Sequence, residues 1–162
     1  MIFLEERLYK KEEVLEAYLG TPDKYDWYKH AFDKYEINGV EKFAWNWSWY
    51  SFFFGYIYLV YRKCYIEAIL LWVAQMIIAG LFGITGIVVM ILCGGLLPYL
   101  VYKRYKKISM EVENIDGNYI KKLETMKELG GVNIVARNIM IGLFVISIFS
   151  ILGLMTFLAA VL

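Results

Sequence analysis

The first 42 residues place charged and apolar positions with the period of a helix. Over 3–19 the apolar residues share one face, and Gly20 provides a stop. Thr21-Pro22 favours a second helix, which Asn38-Gly39 ends. The pattern predicts a helical hairpin over 1–42. Its apolar faces are Leu4, Leu8, Leu15 and Tyr18 in the first helix and Tyr25, Tyr28, Phe32 and Tyr35 in the second.

Two long stretches of the chain carry no charge. Residues 68–102 and 138–162 contain no Lys, Arg, Asp, Glu or His. The first stretch would be about 52 Å long as one helix, against a bilayer core of about 30 Å. It must therefore fold back, and the Gly80–Gly86 cluster is the expected place. We predict about three transmembrane helices, near 66–82, 84–102 and 138–160.

The segment 43–61 is the most aromatic part of the chain. Over 43–49 aromatic residues alternate with small or polar ones, and from Tyr50 onward the pattern is apolar all round. As a helix, 43–61 would be about 28 Å long, barely enough to cross a bilayer. Two interpretations stay open: a re-entrant or interfacial helix, which we favour, and a true span.

Basic residues orient these segments. Arg62-Lys63 and Lys103–Lys107 flank the apolar hairpin, and such bases favour the cytoplasmic side. This predicts a cytoplasmic hairpin over 1–42, a membrane unit over 43–107 and a C-terminal span over 134–162 that ends outside. Between the last two, 108–133 is predicted as a cytoplasmic surface helix that ends at Gly130-Gly131, with Ile120, Leu123 and Met126 as its apolar face.

Composition narrows the class of function. Hydrophobic residues make up 60% and aromatic residues 18% of the chain, and the net charge is +1. Because basic and acidic residues are nearly equal in number, the charge gives no reason to expect a nucleic-acid partner. Cys64 and Cys93 are expected to be small apolar residues, and the single histidine, His30, has no neighbouring ligand. We therefore expect no metal, no cofactor and no enzymatic activity.

The candidate site residues surround the aromatic segment. Trp45, Trp47 and Trp49 are of the type that anchors at a lipid–water interface. Asn46 is either a lipid-headgroup contact or a local backbone cap. Arg62 and Lys63 are either interface anchors, with Lys63 paired to Glu67, or an anionic-lipid site.

A second set of candidates concerns packing in the membrane. Gly142, Gly153, Thr156 and Ala160 fall close to one line on the last helix. Small residues allow helices to approach closely in lipid. We predict that this face meets the 66–102 hairpin or a second copy of the chain. The mid-span amide of Gln75 is expected to bond across helices.

The run from Trp49 to Tyr65 resembles a family signature. It contains Phe52-Phe53-Phe54-Gly55 and then Tyr61-Arg62-Lys63. A family of small bacterial membrane proteins of unknown function has the similar pattern F-N-W-x-x-F-F-F-G-P-x-W-x-x-Y-R-K-M-Y. The resemblance implies a bacterial membrane location and no catalytic residue. This chain departs from the pattern at Ser48, Tyr56, Tyr58 and Cys64, which stand for Asn, Pro, Trp and Met.

Together these patterns predict an all-α, multi-pass protein of the bacterial inner membrane. It has about three spans, one re-entrant or interfacial aromatic helix and an N-terminal helical hairpin. The expected function is non-enzymatic and acts through membrane lipids, another membrane protein or a homo-oligomer. The alternative is a small channel or transporter subunit.

Overall fold

The computed structural model confirms an all-α fold with one short two-stranded exception. It describes residues 2–82 and 86–161, and side chains over 10–78 and 86–160. A 3-10 turn, Pro22–Lys24, precedes the second helix, and β1 (Glu36–Ile37) pairs antiparallel with β2 (Val40–Glu41). The helices are α1 (Ile2–Leu19), α2 (Tyr25–Tyr35), α3 (Trp49–Phe54), α4 (Tyr56–Tyr61), α5 (Tyr65–Phe82), α6 (Gly86–Glu113), α7 (Tyr119–Leu129) and α8 (Ile134–Val161).

The N-terminal hairpin forms, but its details differ from the prediction. Thr21 does not cap α2; its hydroxyl donates to the Leu19 carbonyl, and α2 begins only after the 3-10 turn. At the other end, Asn38 and Gly39 have φ values of 53° and 78°. Positive φ at both central residues is the geometry of a tight strand turn. The Asn-Gly pair therefore closes a small β-hairpin rather than only ending a helix.

Helix α6 connects the apolar and charged parts of the molecule. It runs for 28 residues, so Lys103–Lys107 lie inside the helix rather than at its exit. Around its charged end pack α1, α2 and α7. The Tyr18 and Tyr105 rings are 5.1 Å apart, and Tyr119 of α7 donates to Glu13 of α1 at 2.7 Å. We call this unit, made of α1, α2, α7 and residues 103–113, the head.

Two helical stretches among the described residues are long and apolar enough to cross a membrane. They are α6 and the stretch Tyr119–Ala160, whose apolar part is α8. We predicted about three. The missing one is α5, whose apolar part within the described side chains, Tyr65–Ile78, falls short of that length. The fold-back predicted at Gly80–Gly86 falls largely on residues 83–85, which are outside the described part of the chain.

Helix α8 projects away from the rest of the chain. Its first turn is held by α4: the Asn133 amide donates to the Tyr61 carbonyl at 2.8 Å, and the Arg137 guanidinium lies 5.3 Å from the Tyr61 ring. Beyond this, no described atom lies within 4 Å of a Cβ placed on Gly142 or Gly153.

The predicted packing of Gly142, Gly153, Thr156 and Ala160 against the hairpin is thus not seen among the residues that the structure describes. Residues 143–160 are exposed all round, and the Thr156 hydroxyl bonds back to the Gly153 carbonyl. The polar contacts of α8 with the rest of the described chain lie at its start, at Asn133 and Arg137. Packing through a second copy stays a prediction.

Candidate functional site

The aromatic segment leaves the head, reaches the apolar half of α6 and returns to the head. At its start, the Lys42 amide donates to the Tyr35 carbonyl of α2 at 2.8 Å. At its end, the Arg62 side chain donates to the Leu19 carbonyl of α1 at 2.9 Å. Between them, the Ser48 amide donates to the Gly94 carbonyl of α6. Both ends of 43–61 therefore lie on the same end of the molecule.

Two glycines of α6 form the seat for this segment. A Cβ on Gly94 would lie 2.8 Å from a ring carbon of Trp47, and a Cβ on Gly95 would lie closer still to the Trp45 ring. Real Cβ atoms do not come so near to a ring, so only glycine allows both indoles to lie this close to the helix. Close approach of this kind is how small residues help segments pack in lipid.

The Gly94 carbonyl can accept bonds from the segment because of Pro98. In a regular helix the amide of residue 98 would donate to this carbonyl, but proline has no N–H. Ser48 donates its backbone amide to the free carbonyl at 2.8 Å, and the Ser51 hydroxyl lies 3.4 Å from it. A carbonyl that would otherwise be unsatisfied in an apolar region is thus bonded.

A sharp break divides the segment into α3 and α4. Ser48 caps α3 by accepting from the Ser51 amide, and Gly55 has φ 45° and ψ −117°. That backbone conformation favours glycine. The Gln75 side-chain nitrogen of α5 lies against the break, 3.4 Å from where a Gly55 Cβ would be. Gln75 therefore packs on the segment's turning point, and its expected hydrogen bond across helices stays a prediction.

Arg62 is buried in the junction between the head and the segment, with only 3% of its surface exposed. Its Nε donates to the Tyr28 hydroxyl at 3.0 Å, and its terminal nitrogens donate to the Leu19 carbonyl and the Thr21 hydroxyl. The Leu19 carbonyl is one that the end of α1 leaves unsatisfied. Arg62 thus ties α1, α2 and α4 together, which neither interpretation from sequence included.

The charge of Arg62 is not balanced by a carboxylate. No Asp or Glu oxygen lies within 4 Å of it among the described residues. Its neighbours are neutral: the Tyr28 hydroxyl also bonds the Tyr58 hydroxyl at 2.9 Å, and the guanidinium lies 4.3 Å from the Tyr28 ring centre. A buried cation without a counter-ion is costly, and a nearby anion would lower that cost.

An aromatic cavity of about 310 Å³ opens beside Arg62. Its polar lining includes Arg62, Lys24 and Ser48, and none of the described lining residues is acidic. Trp47 also lines it, and the Trp47 Nε1 is buried without a hydrogen-bond partner. The cavity thus offers donors and positive charge between apolar walls. Its aromatic walls include Trp27, Tyr28, Trp47, Trp49, Tyr58 and Tyr61.

The predicted anchor residues separate into two groups in the structure. Trp47, Trp49 and Arg62 line the aromatic cavity. Trp45 lies half-exposed on Gly95, outside it. Asn46 is buried, its amide nitrogen has no partner, and Ser48 rather than Asn46 caps α3. The sequence did not indicate that Lys24 would face the same cavity, because that contact depends on how α2 packs on α4.

Lys63 is separated from Arg62 by a turn in the backbone. It has φ 59°, lies just before α5, and donates to the Glu128 carbonyl at the end of α7 at 2.9 Å. Arg104 donates to the next carbonyl, Leu129, at 3.3 Å. Cations at a helix C-terminus satisfy free carbonyls and oppose the helix dipole. The expected bridge from Lys63 to Glu67 is not among the described ion pairs.

A second, basic groove lies at the start of α5. It has a volume of about 430 Å³ and joins basic side chains to the exposed apolar residues Ile66 and Met110. Two carboxylates, Glu41 and Glu67, lie in it as well. The mixture of cations and apolar side chains is typical of a surface at a membrane boundary. The bases of this groove are Lys63, Lys103, Arg104, Lys106 and Lys107.

The remaining candidates from sequence take simple positions. Cys64 and Cys93 are buried and unpaired, as expected for small apolar residues. Burial raises the pKa of the Cys64 thiol to about 12. His30 is exposed on α2. Within the described residues, no group of three His, Cys, Asp or Glu side chains comes together.

The class of protein is therefore an all-α chain whose described part contains two helices that are long and apolar enough to cross a membrane. Comparison with known protein families, curated proteins and solved structures gives no match. The resemblance of residues 49–65 to a family signature thus stays a prediction.

Proposed function

We propose that this chain is a multi-pass protein of the bacterial inner membrane that acts without catalysis, through its contacts with lipids or other membrane proteins. In this arrangement α5, α6 and α8 cross the bilayer. The head lies in the cytoplasm, and the aromatic segment enters the membrane from that side and returns to it.

One observation supports this arrangement above the others. The aromatic segment begins and ends at the head, while its middle contacts Gly94 and Gly95. Nine residues of helix, about 13 Å, separate Gly94 from the basic run that starts at Lys103. If that run marks the lipid–water boundary, the indoles reach about 13 Å into a core of about 30 Å, close to the bilayer midplane. Irregular backbone at that depth needs internal partners, and the Gly94 carbonyl supplies one.

The basic groove supports a contact with the bilayer surface. Its cations lie beside Ile66 at the start of α5, so headgroups and chain ends would meet both kinds of side chain. Each basic residue near an anionic surface contributes about 1 kcal/mol. This fits the anchor role expected for Lys63, although Lys63 also bonds the Glu128 carbonyl.

Cysteine labelling in intact cells tests the arrangement. Lys34, exposed on α2, and Lys106 in the head are each replaced by Cys in a chain without Cys64 and Cys93. Both sites should react with a membrane-impermeant maleimide only after the cells are opened. A Cys at Gly153 with lipid-facing surroundings should stay unreactive. Labelling of the Lys34 site from outside would show that 43–61 spans, and the proposal would fail.

A channel or transporter subunit is the second candidate. It is favoured by α8, whose residues 143–160 are exposed in one chain, which leaves their surface open to packing in an assembly. A pore needs polar groups, and Ser147, Ser150 and Thr156 are the hydroxyls that α8 could contribute. Flux of small ions into liposomes that contain the purified chain would favour this candidate over the first.

A further inference from the structure

We propose that the aromatic cavity beside Arg62 is a specific site for the headgroup of an anionic glycerophospholipid, bound through its phosphodiester. The inference rests on the proposed function, because it needs the cavity to lie at the membrane boundary. It differs from a general attraction of the basic groove to the bilayer, since it names one cavity and one ligand class.

Charge is the first argument. Only 3% of the surface of Arg62 is exposed, and no carboxylate lies within 4 Å of it among the described residues. Lys24, an exposed residue, adds a second cation to the lining. Three of the five guanidinium N–H groups are used by Tyr28, Leu19 and Thr21. A phosphate oxygen can accept from those that remain.

Apolar shape is the second argument. Trp47 lies against Gly94, on the apolar half of α6, whereas Arg62 bonds the end of α1 in the head. The cavity lining therefore changes from charged to aromatic between the head and the apolar part of the molecule. A phospholipid changes in the same sense from its headgroup to its acyl chains. A small soluble anion would use only the charged part.

Hydrogen bonding is the third argument. The buried Nε1 of Trp47 has no partner, and a buried donor of this kind normally has one. The Ser48 hydroxyl, which accepts from the Ser51 amide, also lines the cavity and retains its own proton as a donor. Glycerol and ester oxygens of a lipid are acceptors that the Ser48 hydroxyl can bond.

The test uses the full chain purified in a nonionic detergent, titrated with dioctanoyl phosphatidylglycerol and followed by tryptophan fluorescence. Dioctanoyl phosphatidylcholine, which has the phosphodiester but no net charge, and glycerol 3-phosphate, which has no chains, are the comparison ligands. Arg62 also holds the fold, so the informative substitutions are at the exposed residues Lys24 and Trp49. Lys34→Gln, at an exposed lysine of α2 outside the cavity lining, is the matched control for Lys24→Gln in the preceding 3-10 turn.

We expect phosphatidylglycerol to bind about tenfold more tightly than phosphatidylcholine, because one net charge meets two cations. Lys24→Gln should weaken phosphatidylglycerol binding about fivefold, the contribution of one basic residue. Trp49→Ala should weaken it by a similar factor through lost apolar contact, and Lys34→Gln should change nothing.

Two results would overturn the proposal. Equal binding of the two lipids, with Lys24→Gln like the parent, would mean that the cavity does not recognise an anionic headgroup. Glycerol 3-phosphate binding as tightly as the lipid would assign the site to a soluble phosphate ester. Binding in detergent does not depend on which side of a membrane the head occupies, so a failed topology would appear only in the cysteine labelling.

Discussion

The Ser48 backbone amide donates to the Gly94 carbonyl, with 2.8 Å between nitrogen and oxygen. This bond joins the start of α3 to the middle of α6, and each partner depends on a feature of its own segment. Gly94 has a free carbonyl because Pro98 lacks an N–H, and Ser48 has a free amide because it precedes the first turn of α3. The bond explains how an irregular aromatic segment is fixed against an apolar helix.

A double-substitution cycle tests the role of Pro98. Ser51→Ala removes a hydroxyl that donates to the Ser48 carbonyl at 3.0 Å and lies 3.4 Å from the Gly94 carbonyl, and it should lower the free energy of unfolding by about 1 kcal/mol. In a Pro98→Ala chain, the new helical N–H can bond the Gly94 carbonyl, so the same substitution should cost less, by the share that the Gly94 carbonyl contributes. Thermal unfolding in detergent measures all four chains. An equal loss of unfolding free energy from Ser51→Ala in both backgrounds would show that Pro98 does not influence the bonding of the Gly94 carbonyl.

A larger side chain at the glycine seat of α6 should destabilise the fold. Gly95→Leu places a side chain where the Trp45 ring lies, so the aromatic segment must move. The free energy of unfolding should fall by about 1–3 kcal/mol, the usual cost of overpacking. Trp fluorescence should shift as the indole leaves the helix. Gly86→Ala, with open space around residue 86 on the same helix, is the control and should melt like the parent.

Substitutions at Arg62 and at Lys63 should differ sharply in how much they lower the free energy of unfolding. Arg62→Lys keeps the charge but cannot bond Tyr28, Leu19 and Thr21 at once, because a lysine has no planar fork. We expect a loss of about 2–3 kcal/mol in unfolding free energy. Lys63→Gln removes one bond at a partly exposed site, at a cost under about 1 kcal/mol. Chemical denaturation in detergent compares them, and similar losses would contradict the junction role of Arg62.

Glu36 should make the head sensitive to acid. The hydrogen bond from Lys106 holds the pKa of Glu36 below its usual value; burial opposes this, and a bond from Tyr102 supports it. The folded-state pKa is depressed, so the stabilisation is present above the unfolded pKa, about 4.3, and is lost as pH falls through the lower folded value.

The measurement is the melting temperature of parent and Glu36→Gln chains between about pH 3 and pH 7. The parent should be more stable near pH 7, by about 1 kcal/mol for a partly buried pair. The two curves should approach each other as pH falls below the unfolded pKa, because the carboxyl of the parent becomes protonated there. Curves that stay parallel over the whole range would show that Glu36 does not contribute through its charge.

At Gly153 of α8, we expect a substitution to affect the association of two chains but not the folding of one chain. Gly153→Leu should leave the unfolding of the single chain unchanged, because no described atom lies within 4 Å of a Cβ there. If the small-residue face pairs with a second copy, the same substitution should remove chemically cross-linked dimers from membranes. Ile151→Leu, at a residue that is not on that face, should leave the dimers intact. A destabilised Gly153→Leu monomer would mean that α8 packs within the chain.

Local patterns in the sequence determined the helical class and the position of most elements. The apolar face of the first helix and the stop at Gly20 predict correctly that α1 ends at Leu19. The charge-free runs mark the apolar parts of α6 and α8, because the period and length of apolar residues are local properties. The aromatic run also indicates a special segment, although the break at Gly55 was not foreseen.

Only the tertiary structure decided what the basic and glycine residues do. Arg62 and Lys63 are adjacent in sequence, yet one bonds the end of α1 and the other the end of α7. Those partners lie 43 and 65 residues away, and no local pattern encodes such pairings. Pro98 has its effect only because Ser48 arrives at the carbonyl it leaves free. Sequence periodicity shows which face of a helix is apolar, whereas the packing of distant segments determines which donor meets which acceptor.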